Sequence, residues 1–121
     1  MTRMKQAKEF REAYGLTRSL ENKPVQMALI VEEFKEFLVA DSEMQMMVNL
    51  TKAEALKELC DLVYVCYQYA ANMGWELDKA MTRVHKSNMS KLGEDGKPIY
   101  REDGKVLKGP NYKEPTLLDL V

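Results

Sequence analysis

Two long segments of the chain have helical periodicity, and each carries carboxylates in the middle of its apolar stripe. In the first segment, Glu36 lies about 60° from Glu33 on a wheel of about 100° per residue, with apolar side chains around both. In the second, Glu58 and Asp61 have the same spacing. Amphipathic helices usually carry acids on the outer face, because a buried unpaired carboxylate is costly. The two inward acidic stripes therefore need a compensating positive group.

The ends of these two helices carry recognisable signals. The first is predicted to run from Pro24 to about Ala40, because proline suits the first turn of a helix. The second opens with Thr51-Lys52-Ala53-Glu54, a capping box in which the hydroxyl and the carboxylate each satisfy a backbone N–H. We expect it to end at Met73, with Gly74 as the C-cap.

Two shorter helices and an irregular tail complete the chain. The first helix is predicted over about residues 2–14, and the fourth begins near Glu76 or Asp78 and reaches about Lys91 or Leu92. Beyond Gly93, the Asp-Gly turn at 103–104 lies between short apolar runs and predicts a β-hairpin. We expect an all-α fold, one domain over residues 1–121, with a helical core in 1–92 and a hairpin and tail in 93–121.

If the two acidic stripes face each other, four carboxylates converge. Like charges about 4 Å apart repel by about 4 kcal/mol per pair at an effective dielectric of about 20. Oxygen ligands at i, i+3 spacing suit hard divalent cations, Mg²⁺ first and Mn²⁺ next, rather than zinc. The alternative for either motif alone is a solvated helix face whose acids have no ligand. Their pairing on two consecutive helices favours the metal site.

Other chemistries have less support in the sequence. A di-iron carboxylate bundle needs Glu-x-x-His on two helices, whereas the only histidine is His85, and Thr82 stands three residues before it. A lone histidine is also too little evidence for a Ser-His-Asp or Cys-His site, and no glycine-rich phosphate loop is present.

Composition narrows the class of protein further. The 18 basic and 19 acidic residues give a net charge of −1, which argues against a nucleic-acid-binding module. Apolar runs such as Met27–Val31 are too short to cross a bilayer, and the charged N-terminus resembles no signal peptide. We expect a cytoplasmic protein in which Cys60 and Cys66 are small buried apolar groups. A chain of 121 residues has limited core, so homo-oligomerisation is also expected.

The motifs match a known family. Glu32-Glu33-Phe34-Lys35-Glu36, followed by Glu58-Leu59-Cys60-Asp61, resembles the EExxE…ExxD signature of the MazG-like all-α nucleoside triphosphate pyrophosphohydrolases, which include phosphoribosyl-ATP pyrophosphatases. Asn88 and Lys91 are similar to the Asn-x-x-Lys element of the family's fourth helix, and the segment from Glu94 to Tyr112 is similar to the tail of small single-domain members.

The resemblance implies an activity and a fold. The activity is Mg²⁺-dependent hydrolysis of nucleoside triphosphates to the monophosphate and pyrophosphate, for cleansing or adjusting the nucleotide pool, with Mn²⁺ as a substitute ion. The fold is a four-helix MazG-like bundle completed by assembly into a homodimer or homotetramer. The alternative is a helical regulatory or scaffolding module that keeps the fold without turnover. Val65 replaces a family aromatic, which leaves the base preference open.

The resemblance also assigns roles to residues. It implies that the metal is held by Glu33, Glu36, Glu58 and Asp61. Glu32 is the candidate that positions or deprotonates the attacking water, with a plain surface glutamate as the alternative. The candidates for substrate binding are Asn88, Lys91, Lys86, Lys108 and Trp75. For Trp75, stacking on a base competes with interhelical packing, which is the commoner role. Asn22 and Gln26 are weaker candidates for residues that form hydrogen bonds with the edge of the nucleotide base.

Overall fold

The computed structural model of the chain describes residues 1–44 and 48–121, in two compact units, Met1–Trp75 and Glu76–Val121. The first unit contains three helices, α1 (Arg3–Ala13), α2 (Lys23–Glu43) and α3 (Asn49–Met73). The second contains α4 (Leu77–Met89) and two short strands, β1 (Ile99–Tyr100) and β2 (Val106–Leu107). The prediction of an all-α chain is confirmed, with four α-helices in the described residues.

In the first unit, α2 and α3 form the largest helix–helix contact, and α1 packs against α3. The Thr2 hydroxyl caps α1 by accepting a hydrogen bond from the Lys5 backbone N–H at 3.2 Å. A single 3-10 turn, Leu20–Asn22, leads into α2, which has Pro24 in its first turn as predicted. The α2–α3 contact is the one that places the acidic residues of the two helices side by side.

The predicted capping box at Thr51 is wrong. Helix α3 begins earlier, at Asn49, with Val48 at the cap position, so Thr51 lies inside the first turn. Its hydroxyl donates to the Val48 carbonyl oxygen at 2.9 Å instead of accepting from a backbone N–H. At the other end the prediction is confirmed, since α3 ends at Met73 and Gly74 follows with a φ of 75°.

Two other helix ends differ from their predicted positions. Helix α2 continues to Glu43 rather than ending at Ala40, since no glycine or proline follows Ala40 to stop it. Helix α4 ends at Met89, before the predicted end at Lys91 or Leu92. The reason is Ser90, whose hydroxyl donates to the Ser87 carbonyl at 2.6 Å and accepts from the Lys113 backbone N–H at 3.0 Å.

The first unit buries small and polar side chains rather than large apolar ones. Its buried apolar residues are Met4, Ala7, Ala40, Ala55, Ala70 and Ala71. Large side chains on both long helices are exposed instead, among them Val31, Leu38, Leu56 and Val63. A domain of this size normally buries its large apolar side chains, so these exposed faces indicate surface that the single chain leaves uncovered.

A buried polar network joins α1 to α3 and to the loop between α1 and α2. The Arg11 guanidinium is 5% exposed and donates to Asn72 Oδ1 at 3.0 Å and to the Thr17 carbonyl oxygen at 3.1 Å. Asn72 in turn donates to the Ser19 carbonyl oxygen at 2.9 Å and accepts from the Ser19 N–H at 3.2 Å. These bonds hold the loop that precedes α2 and thereby fix where α2 begins.

The expectation that both cysteines are buried is wrong. Cys60 is exposed and Cys66 is half-buried, and burial raises the pKa of the Cys66 thiol. Cys60 borders an open groove of about 390 Å³ between α1 and α3, so no helix covers it within the described chain.

In the second unit, the C-terminal segment is tied to α4. Arg83 donates to both carboxylate oxygens of Asp119, at 2.6 and 2.9 Å, and buried Ser87 donates to the Lys113 carbonyl oxygen at 2.7 Å. The backbone of Gly109 lies so close to that of Leu92 that a Cβ at position 109 would be 2.3 Å from the Leu92 carbonyl oxygen. These contacts order a tail with little regular structure.

Strands β1 and β2 pair antiparallel, with Ile99 opposite Leu107 and Tyr100 opposite Val106, in the segment where a hairpin is predicted. None of the helices described, in residues 1–44 and 48–121, has the length and hydropathy needed to span a bilayer.

Candidate functional site

Three carboxylates from two helices meet in the first unit. Glu33 and Glu36 lie one turn apart on α2, and Glu58 lies on α3. One oxygen from each of the three lies within 4.8 Å of the others. The structure thus brings together three of the four acids that the sequence assigns to a metal. We call these three residues the carboxylate triad.

Burial within the triad is uneven and leaves two oxygens without partners. Glu58 is 8% exposed, Glu33 is half-buried and Glu36 is exposed. Glu33 Oε2 and Glu58 Oε2 are buried, and no described residue forms a hydrogen bond with either. An unpaired buried carboxylate oxygen is unfavourable unless a proton or a cation satisfies it. An all-oxygen set with two unpartnered acceptors fits a hard divalent cation.

The electrostatics of Glu33 reflect this crowding. Its pKa is raised to about 7, first by burial, then by its hydrogen bond with Glu36 and by the negative charges of Glu36, Asp61 and Glu58. Asp61 is outside the group of mutually close oxygens, yet its charge acts on Glu33. All four predicted metal ligands therefore belong to one electrostatic site.

One lysine neutralises part of this charge. Lys57 Nζ lies 3.1 Å from Asp61 Oδ2 and 3.2 Å from Glu58 Oε1, and these two carboxylates raise the pKa of Lys57 above its ordinary value. Lys57 is not part of the acidic motifs from which the site is predicted. The available signal was the i, i+4 spacing of Lys57 and Asp61 on one helix, which places a lysine and an acid side by side.

The other candidates of the first unit lie outside the triad. Glu32 is exposed on α2, next to Glu33 in the chain. Trp75 is half-buried and packs edge-to-face on Tyr69, with the ring centroids 5.8 Å apart, and its stacking on a base stays a prediction. Gln26 is 8% exposed, and its Oε1 finds no partner in the part of the chain that is described. Asn22 donates to the Thr17 carbonyl oxygen at 3.4 Å.

The remaining candidates belong to the second unit. Asn88 and Lys86 are exposed on α4, and Lys91 follows the helix with a half-buried side chain. The Lys91 carbonyl oxygen accepts from Gly109 N–H at 2.8 Å, which ties it to the tail. Lys108 lies over the ring of Tyr112, 4.8 Å from its centroid. The substrate-binding roles of these residues stay predictions.

Comparison with known families gives one match. The family model for phosphoribosyl-ATP pyrophosphohydrolase matches residues 2–88, a span that includes α1 to α3, the carboxylate triad, Asp61 and Glu32. No curated protein matches the chain. The match covers well over half of the chain and includes every residue of the acidic site. The chain belongs to the phosphoribosyl-ATP pyrophosphohydrolase family, within the MazG-like all-α nucleoside triphosphate pyrophosphohydrolase superfamily.

Proposed function

We propose that the protein is a Mg²⁺-dependent pyrophosphohydrolase that converts nucleoside or deoxynucleoside triphosphates into the monophosphate and pyrophosphate. The observation that carries the proposal is the carboxylate triad, with two buried oxygens that find no partner among the described residues. Members of the family are pyrophosphohydrolases that typically depend on a divalent metal. In the cell, this activity would cleanse or adjust the nucleotide pool of the cytoplasm.

In this proposal, the metal is held by Glu33, Glu36, Glu58 and Asp61. Carboxylate oxygens alone suit Mg²⁺, with Mn²⁺ as a substitute, because both are hard cations that prefer oxygen. When bound, the ion offsets the negative charge of the substrate's phosphates and lowers the pKa of a coordinated water. Without the metal ion, the four acids would repel a polyphosphate, because both are negatively charged.

Glu32 is proposed to orient the attacking water and accept its proton. It neighbours Glu33 in the chain, and its exposed side chain is accessible to solvent. A general base must be within hydrogen-bond reach of the water it activates, and a carboxylate beside the metal ligands meets that need once substrate is present.

We also propose that the substrate is bound by Asn88 and Lys91, which are similar to the Asn-x-x-Lys element of the family's fourth helix. Asn88 lies in the last turn of α4 and Lys91 follows the end of the helix, and an amide and an ammonium three residues apart suit contacts with a phosphate or a sugar. Lys86 and Lys108 are secondary phosphate contacts in this scheme, and Trp75 is the candidate for stacking on the base.

A second candidate substrate is phosphoribosyl-ATP. The observation that favours it is the family model that matches the chain, whose description names phosphoribosyl-ATP pyrophosphohydrolase. The bond broken and the pyrophosphate released are of the same kind for both substrates, so the same acidic site serves either reaction. The two kinds of substrate differ in the group attached to the α-phosphate, and so they require different pockets to bind that group.

We also propose that the protein is a homodimer or homotetramer. The support is the exposed apolar face of α2, where Met27, Val31, Phe34 and Leu38 are 44–50% exposed and recur at heptad-like spacing. A soluble chain gains stability by covering such a stripe with a second apolar helix. Light scattering coupled to gel filtration is expected to give a mass of two or four chains, and a mass of one chain would contradict this.

The experiment that tests the activity measures pyrophosphate release. The purified protein is incubated with a panel of NTPs, dNTPs and phosphoribosyl-ATP, with and without Mg²⁺. We expect release from at least one member, only when Mg²⁺ is present. Release from none would favour the alternative of a non-catalytic helical module. Relative kcat/KM across the panel then identifies the preferred substrate.

A further inference from the structure

Lys57 occupies one side of the acidic site. Its ammonium bridges two acids of α3, Glu58 and Asp61, at 3.2 and 3.1 Å. Its own side chain is 62% exposed, whereas that of Glu58 is 11% exposed. The ammonium therefore lies at the boundary between the buried carboxylates and solvent.

The distribution of charge around the four acids is asymmetric. Within the described residues, no lysine or arginine forms an ion pair with Glu33 or Glu36 on α2. Among the residues that the structure describes, Lys57 is thus the single cation that forms ion pairs with the four acids, and both of its partners, Glu58 and Asp61, lie on α3. One positive charge beside four carboxylates leaves a net negative site, even where Glu33 retains a proton.

A divalent cation and the Lys57 ammonium compete for the same oxygens. A metal ion held by Glu58 and Asp61 would lie within a few ångströms of Nζ in its present position, and like charges at such distances repel strongly. The lysine can leave at small cost, because its long side chain is mostly solvent-exposed and its exposed ion pairs are individually weak. Glu58 cannot leave in the same way, since it is buried.

We propose that Lys57 is an exchangeable counter-ion, which holds Glu58 and Asp61 in the metal-free protein and releases them when a divalent cation binds. This inference rests on the proposed metal-dependent function. In the metal-free state the lysine reduces repulsion among the acids and stabilises the packing of α2 on α3. The same contact weakens the apparent affinity for metal, because it must be broken on binding.

The test measures Mn²⁺ binding by electron paramagnetic resonance, with no substrate present. The variants are Lys57→Met and the matched control Lys52→Met, which removes a lysine of the same helix that forms no ion pair with any described residue. We expect Lys57→Met to bind Mn²⁺ at least about threefold more tightly than the wild type does. This is the size of effect expected when one solvent-screened positive charge is removed. Lys52→Met should bind like the wild type.

A second readout is the melting temperature. In EDTA, Lys57→Met should melt below the wild type, and saturating Mn²⁺ should remove the difference. If Lys57→Met does not fold, Lys57→Gln gives the same comparison with an uncharged donor in place of the ammonium. If the wild type binds Mn²⁺ and the neutral Lys57 variant binds it equally or more weakly, the proposed role of Lys57 is wrong, whereas the metal site stands. Absence of Mn²⁺ binding by the wild type would overturn the metal site itself, and the inference with it.

Discussion

Glu33 on α2 and Glu58 on α3 each bury one carboxylate oxygen, Oε2 in both cases, that no described residue contacts by a hydrogen bond. The two side chains come from different helices and, with Glu36, bring one oxygen each within 4.8 Å of the others. Such an arrangement is unfavourable while the buried oxygens have no partner, and it becomes favourable when a cation binds them.

Removal of one acid should abolish turnover without unfolding the protein. We expect Glu36→Gln or Asp61→Asn to lower kcat/KM to below about one hundredth of the wild type, since loss of even an outer partner of a metal ligand often costs about 10–100-fold. Helicity by circular dichroism should be unchanged, because one charge is removed from a mutually repelling set. Glu12→Gln, an exposed position on α1, is the matched control. Wild-type turnover by the Glu36 or Asp61 variant would reject the metal assignment.

Stability without divalent ions should fall as the pH rises from about 4.5 to 7. The pKa of Glu33 is raised from 4.5 to about 7, mainly by burial and by Glu36, so the folded state binds more protons than the unfolded chain across this window. We expect a loss of about 1–2 kcal/mol after solvent screening. Thermal melts in EDTA at pH 5 to 8 measure it. Glu33→Gln should flatten the dependence, and a wild-type stability that rises with pH through this window would contradict the prediction.

The buried Arg11 network should contribute strongly to stability. Arg11→Ala removes the hydrogen bonds to Asn72 Oδ1 and the Thr17 carbonyl oxygen, and also the 3.4 Å bond to buried Gln68 Oε1. We expect a loss of about 2–4 kcal/mol in the free energy of unfolding, because these bonds are lost together and a cavity remains. Urea denaturation measures this loss. The exposed Arg3→Ala should change stability by less than about 0.5 kcal/mol, and equal effects of the two variants would argue against the network.

The sequence predicted the parts of the site that depend on helical geometry. Glu33, Glu36 and Glu58 converge because their spacing and apolar surroundings determine their direction once α2 packs on α3. Gly74 ends α3 as predicted, because the residue after the helix adopts a left-handed conformation that glycine accepts more readily than other residues. These features follow from local rules that the surrounding structure does not override.

Other features depend on contacts that no local rule contains. Helix α3 begins at Asn49 rather than at Thr51, because the Thr51 hydroxyl donates to the Val48 carbonyl oxygen inside the first turn, a contact that the sequence of a capping box does not exclude. Helix α4 stops early because the tail returns to bond Ser90, which is distant in sequence from Lys113. Cys60 is exposed rather than buried because it borders the open groove between α1 and α3, and no local sequence pattern predicts that groove.

The apolar stripe of α2 should control assembly. We expect Val31→Asp to shift the protein from oligomer to monomer in light scattering, because a charge in an apolar helix–helix contact lacks a partner. Leu118→Asp, at an exposed position outside helices α1 to α4, is the control and should leave the mass unchanged. An unaltered mass for the Val31 variant would show that another surface holds the subunits together.

The metal-dependent activity is tested by measuring the release of pyrophosphate from a nucleotide panel that includes NTPs, dNTPs and phosphoribosyl-ATP, with Mg²⁺ and with EDTA. We expect pyrophosphate and the matching monophosphate from at least one substrate with Mg²⁺, none with EDTA, and none from Glu58→Gln in either condition. Pyrophosphate release that persists in EDTA, or no release from any substrate with Mg²⁺, would show that the protein is not a Mg²⁺-dependent pyrophosphohydrolase.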